Sequence, residues 1–273
     1  MGSGYPSKDE VLDYLVSSVN LSIWFIWRWL SEHPEEKFKY TFNNRVSILH
    51  KTTFNPGHLD AHLDLENIPE SAEWLNILNS LEHYYKSARK KHDFSSFEKR
   101  SMATLVPLLK GRVDRDIEHL KSDKDTEKYQ CGSLRYNLCV DQDNPKRIGF
   151  HIANACFPGS MFDDKTYLPA CFVVLMNQCE AKFGISEIGT STWLNSLPKW
   201  NALFPDAWQK NMGPASENIQ WHYGFWGQFL NSRKTFNHGL AEQFKKTGKM
   251  PFLPRTSWCR TSEMRSHLKK FFT

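Results

Sequence analysis

The spacing of apolar residues predicts a helical first half of the chain. Ser7 and Glu10 form a capping box ahead of an apolar helix over 11–30. Steps of three and four between apolar residues predict three further helices, at 71–88, 97–109 and 113–120. Because proline lacks the backbone N–H that a helix interior needs, Pro107 is expected to bend or break the helix at 97–109, together with Gly111.

Alternating patterns take over after residue 128. The segments 134–140 and 147–153 alternate between apolar and polar residues around a turn-rich connection, which predicts a β-hairpin. Its buried face is expected to carry Leu134, Tyr136, Leu138, Ile148, Phe150 and Ile152. A helix over 167–184, a strand over 187–195, a helix from 236 to 248 and a short final helix are predicted to follow. Between the first two helices, 45–54 has the composition of a strand.

These elements predict an α+β fold, with a helical N-terminal half packed on a mixed or antiparallel sheet formed mainly by the C-terminal half. A length of 273 residues is enough for one domain with a large core. We therefore expect a single α+β domain over 1–273, with a mainly helical part at 5–121 and an α/β part at 129–273 as its substructure.

Composition narrows the functional classes. The net charge is +5, but Lys and Arg are interleaved with Asp and Glu, so no nucleic-acid partner is expected. The apolar run over 21–30 contains Arg28 and is half the length that a membrane span needs, so no membrane partner is expected either. Six cysteines without a CxxC pair are typical of reduced thiols in a cytoplasmic protein. The sequence leaves the oligomeric state open.

The segment 57–67, GHLDAHLDLEN, places four metal-binding side chains at alternate positions: His58, Asp60, His62 and Asp64. On a strand all four would project from one face. Two histidines and a carboxylate on one face of an ion suit a non-haem iron site with open positions for a substrate. A divalent metal is therefore predicted, with Fe(II) favoured and Zn or Mn as alternatives.

The pattern resembles the HxD pair of the Fe(II)/2-oxoglutarate oxygenases. That resemblance implies a distant histidine as the third ligand and, after it, an arginine that binds the anionic co-substrate. His222 and Arg233 have the corresponding spacing. The resemblance thus implies a metal-dependent oxidoreductase that acts on a small molecule.

A metal-free alternative rests on the stretch FHIANACFPGS. His151 lies on the polar face of its predicted strand and Asn154 follows at the strand's end, where a histidine can serve as a general base. The order of strand, loop, helix, glycine and strand over 147–195 is similar to the central part of GNAT-type acyltransferases. A non-catalytic module that binds a small ligand or a protein is the third possibility.

Six of the ten tryptophans lie in the last eighty-one residues, where WHYGFWGQF offers polar groups between aromatic walls. Trp221, Trp226 and Gln228 are predicted to line a small-molecule pocket and to bind a cofactor or co-substrate with Arg233. Polar groups turned inward are costly to bury unless they meet one another or a ligand. We therefore expect His62, His151 and His222 to approach one cavity.

Overall fold

The computed structural model describes residues 5–46, 48–55, 72–122 and 130–273. Its helices are α1 (Lys8–Glu32), α2 (Phe38–Tyr40), α3 (Ala72–Arg89), α4 (Phe94–Lys110), α5 (Val113–Ser122), α6 (Tyr167–Phe183), α7 (Pro198–Asn201), α8 (Asp206–Lys210), α9 (Tyr223–Trp226), α10 (His238–Thr247) and α11 (Thr261–Leu268). Its strands are β1 (Leu134–Tyr136), β2 (Arg147–Ile152), β3 (Glu187–Thr192) and β4 (Arg255–Arg260). The predicted α+β class is confirmed.

Local sequence rules account for the helices of the first half. The Ser7 hydroxyl accepts the Glu10 N–H at 3.2 Å, and the Glu10 carboxylate accepts the Ser7 N–H at 2.8 Å, so the capping box begins α1. The predicted break is confirmed at Gly111, where α4 ends before α5 begins at Val113, but not at Pro107, because α4 continues through Pro107 to Lys110. Among the described helices, none combines the length and the apolar character needed to cross a membrane.

The sheet has the strand order β1-β2-β3-β4. β2 and β3 run parallel and are connected through α6, whereas β1 and β4 pair antiparallel with their neighbours. The predicted hairpin is confirmed by the register Leu134↔Ile152 and Tyr136↔Phe150. The predicted burial of Leu138 is wrong: this side chain is 72% exposed because β1 ends at Tyr136, before the alternation does.

The strand predicted over 45–54 is wrong. In its place lie a π-helical turn (Thr41–Arg45) and a 3-10 turn (Leu49–Lys51). Ile48 is fully buried in the helical core, so its β-branched side chain serves packing rather than a strand ladder.

The sequence did not predict β4, because the small side chains of this strand are buried and its large apolar side chain is not. Ser257 and Cys259 point inward and are fully buried, whereas the large Trp258 on the other face is only partly buried. The guanidinium of Arg147 covers Trp258, 4.1 Å from its ring centre.

The described residues form two hydrophobic cores. The first joins α1, α3 and α4 to the later segment 219–250, and we call it the helical core. The second, the sheet core, joins the sheet to α6, α11 and the tryptophan-containing turns at 200–208. The helical core therefore includes a segment from the second half of the chain, which brings the aromatic run over 220–229 against α1.

Candidate functional site

The turn Leu49–Lys51 is held by an arginine from the start of α5. Arg112 donates to the carbonyl oxygens of His50 and Thr52, at 2.7 and 3.2 Å. Its side chain is only 3% exposed and forms an ion pair with Asp116 at 2.5 Å. A buried guanidinium with three acceptors is well satisfied, so this contact fixes the turn against α5.

A second arginine repeats the contact one turn further along α5. Arg115 donates to the carbonyl oxygens of Asn55 and Thr52, at 2.7 and 3.4 Å. Burial, followed by the nearby charge of Arg112, lowers the pKa of Arg115. Two arginines thus converge on one short segment that itself carries basic side chains. We call the four basic side chains His50, Lys51, Arg112 and Arg115 the cationic cluster.

Lys51 belongs to this cluster and is partly buried. Its ammonium nitrogen is 5.8 Å from the centre of the Tyr14 ring on α1. Burial lowers the pKa of Lys51 to about 8; the charge of Arg112 adds to this shift, and Asp116 opposes it. An amine in such surroundings is partly neutral near physiological pH, which an exposed lysine is not.

The neighbouring histidine is neutral at physiological pH. Burial lowers the pKa of His50 to about 4, with further contributions from Lys51 and Arg112. Its ring lies 4.5 Å from that of Trp221. The Nε2 atom of His50 is buried and has no hydrogen-bond partner within the described part of the chain.

Tyr14 completes the site from the side of α1. Its pKa is raised by burial and by the nearby Tyr223, and a hydrogen bond with Ser18 opposes the shift. Between α1 and the aromatic run lies a cavity of about 10 Å³, which is roughly the room that one water needs. It is lined by Tyr14, Ser18, Leu21, Ser22, Lys51, Trp226, Phe229 and Phe236.

A larger groove of about 470 Å³ lies elsewhere, between the end of α1 and α3. Its partly buried carboxylate, Glu36, already pairs with Arg45 at 2.7 Å and accepts from Thr41 at 2.6 Å. Its other charged residues are mostly exposed lysines. We therefore place the candidate site at the cationic cluster, where the side chains with shifted pKa values gather.

Two residues of the predicted aromatic pocket lie at this site. The indole of Trp221 contacts His50, and Trp226 lines the small cavity. Gln228 has a different environment: its amide donates to the carbonyl oxygens of Phe225 and Phe252 at 2.7 and 3.0 Å and accepts the Phe252 N–H at 3.0 Å. A glutamine that is 1% exposed and bonded in this way joins two backbone segments.

His222 is next to Trp221 and begins α9. Its Nδ1 accepts the Gly224 N–H at 3.0 Å, and burial lowers its pKa. A neutral imidazole has only one nitrogen lone pair, so this bond places the ring proton on Nε2. Metal binding by His222 would require that bond to break or the Nε2 proton to leave.

The residues of the metal-free alternative lie at the carboxyl end of β2. The side chain of Asn154 donates to the carbonyl oxygens of Gly159 and Ser232, at 2.8 and 3.4 Å. Arg233 follows Ser232, is exposed and lies near Glu10. His151 is exposed on β2, opposite Arg135 of β1. The structure thus brings Asn154 next to the loop that contains Arg233.

The acyltransferase resemblance requires a loop that can receive a pyrophosphate before α6. Asp164 accepts the N–H and the hydroxyl of Thr166, at 2.8 and 2.7 Å, and Asp163 accepts the Ser160 N–H at 2.8 Å. Two carboxylates therefore already accept hydrogen bonds from the N–H and hydroxyl groups of this loop. An anionic cofactor would have to displace them.

The four metal-binding side chains His58, Asp60, His62 and Asp64 lie outside the described residues, so the predicted approach of His62 to His151 and His222 stays a prediction. Within the described residues, no three His, Cys, Asp or Glu side chains are grouped so as to hold a metal ion. The six cysteines are all described and all free.

Sequence reasoning missed Tyr14, His50, Lys51 and Arg112 as site residues. The available signal was the adjacent pair His50-Lys51, because successive side chains of a strand point to opposite faces and both could not have faced solvent. Comparison of the chain with protein-family models, curated protein sequences and solved structures finds no match.

Proposed function

We propose that the chain is a small-molecule enzyme whose reacting group is the Lys51 amine. The observation that carries the proposal is the position of Lys51 beside a small cavity. Burial and the charge of Arg112 lower the pKa of this lysine to about 8. Strongly shifted pKa values with a specific charged neighbour are characteristic of functional sites. Lysine is the cation that enzymes use in this way, because its amine becomes a base or a nucleophile once it loses its proton.

The surroundings favour an anionic substrate. Arg112 and Arg115 are cationic side chains, whereas His50 is neutral near pH 7. A positive potential around a partly neutral amine attracts anions and holds them near the lone pair. The substrate class proposed here is therefore a small anionic molecule that gives a proton to Lys51 or is attacked by it.

The proposal can be tested without knowing the substrate. Acetic anhydride labels neutral amines, so labelling of each lysine by a trace amount across pH 6–11, followed by peptide mass spectrometry, reports its pKa. We expect the Lys51 profile to have its midpoint near pH 8, below the ordinary lysine value of 10.5, and the exposed Lys210 serves as the reference side chain.

Asp116→Asn is the matched variant. Since the Asp116 carboxylate raises the pKa of Lys51, its neutral analogue should move the Lys51 midpoint to lower pH and leave the Lys210 midpoint in place. A Lys51 midpoint that coincides with that of Lys210 would refute the proposal.

A second proposal concerns the metal-binding side chains of 57–67. Four of them at alternate positions remain the observation that favours a divalent ion, with Fe(II) ahead of Zn or Mn and metal-dependent oxidation as the reaction. Elemental analysis of the purified chain before and after anaerobic Fe(II) loading tests this. We expect the purified chain to bind metal and the double variant His62→Ala with Asp64→Ala to lose it. Equal metal content in the variant would exclude the site.

A further inference from the structure

We propose that the groove between the end of α1 and α3 binds a small organic anion with an apolar body. The groove has a volume of about 470 Å³, which is within the range of small-molecule sites. Among the described residues, it shares no lining side chain with the small cavity at Lys51. About 24 Å of α1 separates Leu30, at the groove, from Tyr14, at the cationic cluster. The groove is therefore a second site, and this inference does not depend on the proposed function.

The floor of the groove is apolar and rests on the helical core. It is formed by the buried side chains of Leu30 and Phe38 together with the ring of Tyr85. The ring centres of Phe38 and Tyr85 lie 5.4 Å apart, and they are 6.4 and 5.6 Å from that of Phe97. Phe97 is fully buried, so the helical core holds these rings in place. A ligand that enters the groove therefore meets a preformed apolar surface.

The two carboxylates that line the groove are already paired. Glu36 forms an ion pair with Arg45 at 2.7 Å and accepts a hydrogen bond from Thr41 at 2.6 Å. Glu82 pairs with Lys86 at 2.7 Å, one turn further along α3. Each negative charge therefore has its own cation before any ligand binds, and neither carboxylate compensates the remaining lysines of the lining.

Two ammonium groups and one hydroxyl of the lining remain available to a ligand. Lys37 and Lys39 flank the buried Phe38 in sequence, and neither ammonium group has an ion pair within the described part of the chain. The Tyr85 hydroxyl has no hydrogen-bond partner there, and burial raises its pKa, so it keeps its proton and can donate. An anion with an apolar body matches this lining, because its charge meets the ammonium groups while its body covers the rings.

Two fluorescent dyes that differ in charge test the inference. Anilinonaphthalene sulfonate has an aromatic body and one sulfonate, and phenylnaphthylamine has the same body without the charge. We expect the anionic dye to bind the intact chain saturably, with a Kd below about 100 μM. The readout is the ratio of the two dissociation constants, because partial unfolding of a variant would expose apolar surface to both dyes alike.

The groove variant is Lys37→Gln with Lys39→Gln, which removes two charges and keeps two polar side chains. Its affinity for the anionic dye should fall about tenfold, because two partly exposed charge pairs are lost, whereas its affinity for the neutral dye should stay the same. The control is Lys210→Gln with Lys246→Gln, which makes the same change in net charge at two exposed positions outside the groove. This control should bind both dyes as the unmodified chain does.

Protection from acetylation locates the bound dye. Saturation with the anionic dye should lower the labelling of Lys37 and Lys39 by acetic anhydride several-fold and leave that of Lys210 unchanged. Equal effects of the groove and control variants, a Kd above about 100 μM, or unprotected Lys37 and Lys39 would each overturn the inference. A chain that is dimeric without the dye and monomeric with it, in analytical ultracentrifugation, would assign the groove to a second copy and overturn it as well.

Discussion

At the scale of single residues, the proposed role of Lys51 implies a loss in the stability of the folded state. An ammonium group that is moved out of water beside a buried arginine destabilises the folded state unless other contacts compensate. The lowered pKa of Lys51 measures that cost, because its protonated form is less favourable in the folded chain than in the unfolded chain.

The sign of the pH dependence follows from this shift. Below pH 8 both states carry the proton and the full penalty is present. Between pH 8 and the ordinary lysine pKa of 10.5, the folded state has released the proton and the unfolded state has not. The penalty is therefore lost as the pH rises through this window, and this residue's contribution to stability increases.

Lys51→Met should accordingly stabilise the folded chain at pH 7. Methionine keeps the length of the side chain without the charge, and the gain should be about 1–3 kcal/mol after allowance for partial exposure. The gain should disappear toward pH 10.5. Urea unfolding at several pH values measures it, with the exposed Lys210→Met as a control that changes little. A less stable Lys51→Met at pH 7 would show that the ammonium group is favourably paired.

At the scale of secondary-structure elements, the sequence was sufficient where local signals determine the outcome. The capping box of α1, the left-handed glycines at 184 and 248 that end α6 and α10, and the hairpin register all follow from short patterns. The sequence was insufficient where packing between distant segments determines the local structure. Ile48 lies in a turn because it packs in the helical core, although its composition favours a strand. In β4, Ser257 and Cys259 face inward, which contradicts the usual relation between hydrophobicity and burial.

Ser7→Ala tests the best-defined local signal. It removes the acceptor of the Glu10 N–H and with it half of the capping box, so the free energy of unfolding should fall by about 1 kcal/mol. Ser17→Ala is the control, since the Ser17 hydroxyl donates an exposed hydrogen bond to Asp13 within the same helix, at 3.4 Å. Equal effects of the two substitutions in thermal unfolding would contradict the assignment.

At the scale of the whole molecule, the prediction of the class was correct, but the sequence did not show which core each later segment joins. The aromatic run over 220–229 could have packed on the sheet or on the helices, because its composition suits both. It joins the helical core, where it meets α1 and the turn Leu49–Lys51. The candidate site forms because this segment packs on the helical core. Patterns in a single sequence do not reveal such long-range packing.

Gln228 is a point at which the two cores are connected. It binds the backbone of Phe252, whose ring stacks on Trp193 beside the sheet at 5.8 Å. Gln228→Ala leaves buried backbone groups unpaired and should cost about 2–4 kcal/mol in urea unfolding. Gln209→Ala, at an exposed position of α8, should cost less than about 0.5 kcal/mol. A loss at Gln228 as small as at Gln209 would mean that this connection does not stabilise the fold.

The central claim, an amine with a lowered pKa at Lys51, is tested most directly by NMR titration of the lysine side chains. In a chain labelled with ¹³C at the lysine ε-carbons, each resonance shifts as its amine loses a proton, and Lys51→Arg identifies the resonance of Lys51 by its absence. We predict that this resonance titrates near pH 8, well below the ordinary lysine value of 10.5. A Lys51 resonance that titrates together with the exposed lysines would contradict the account.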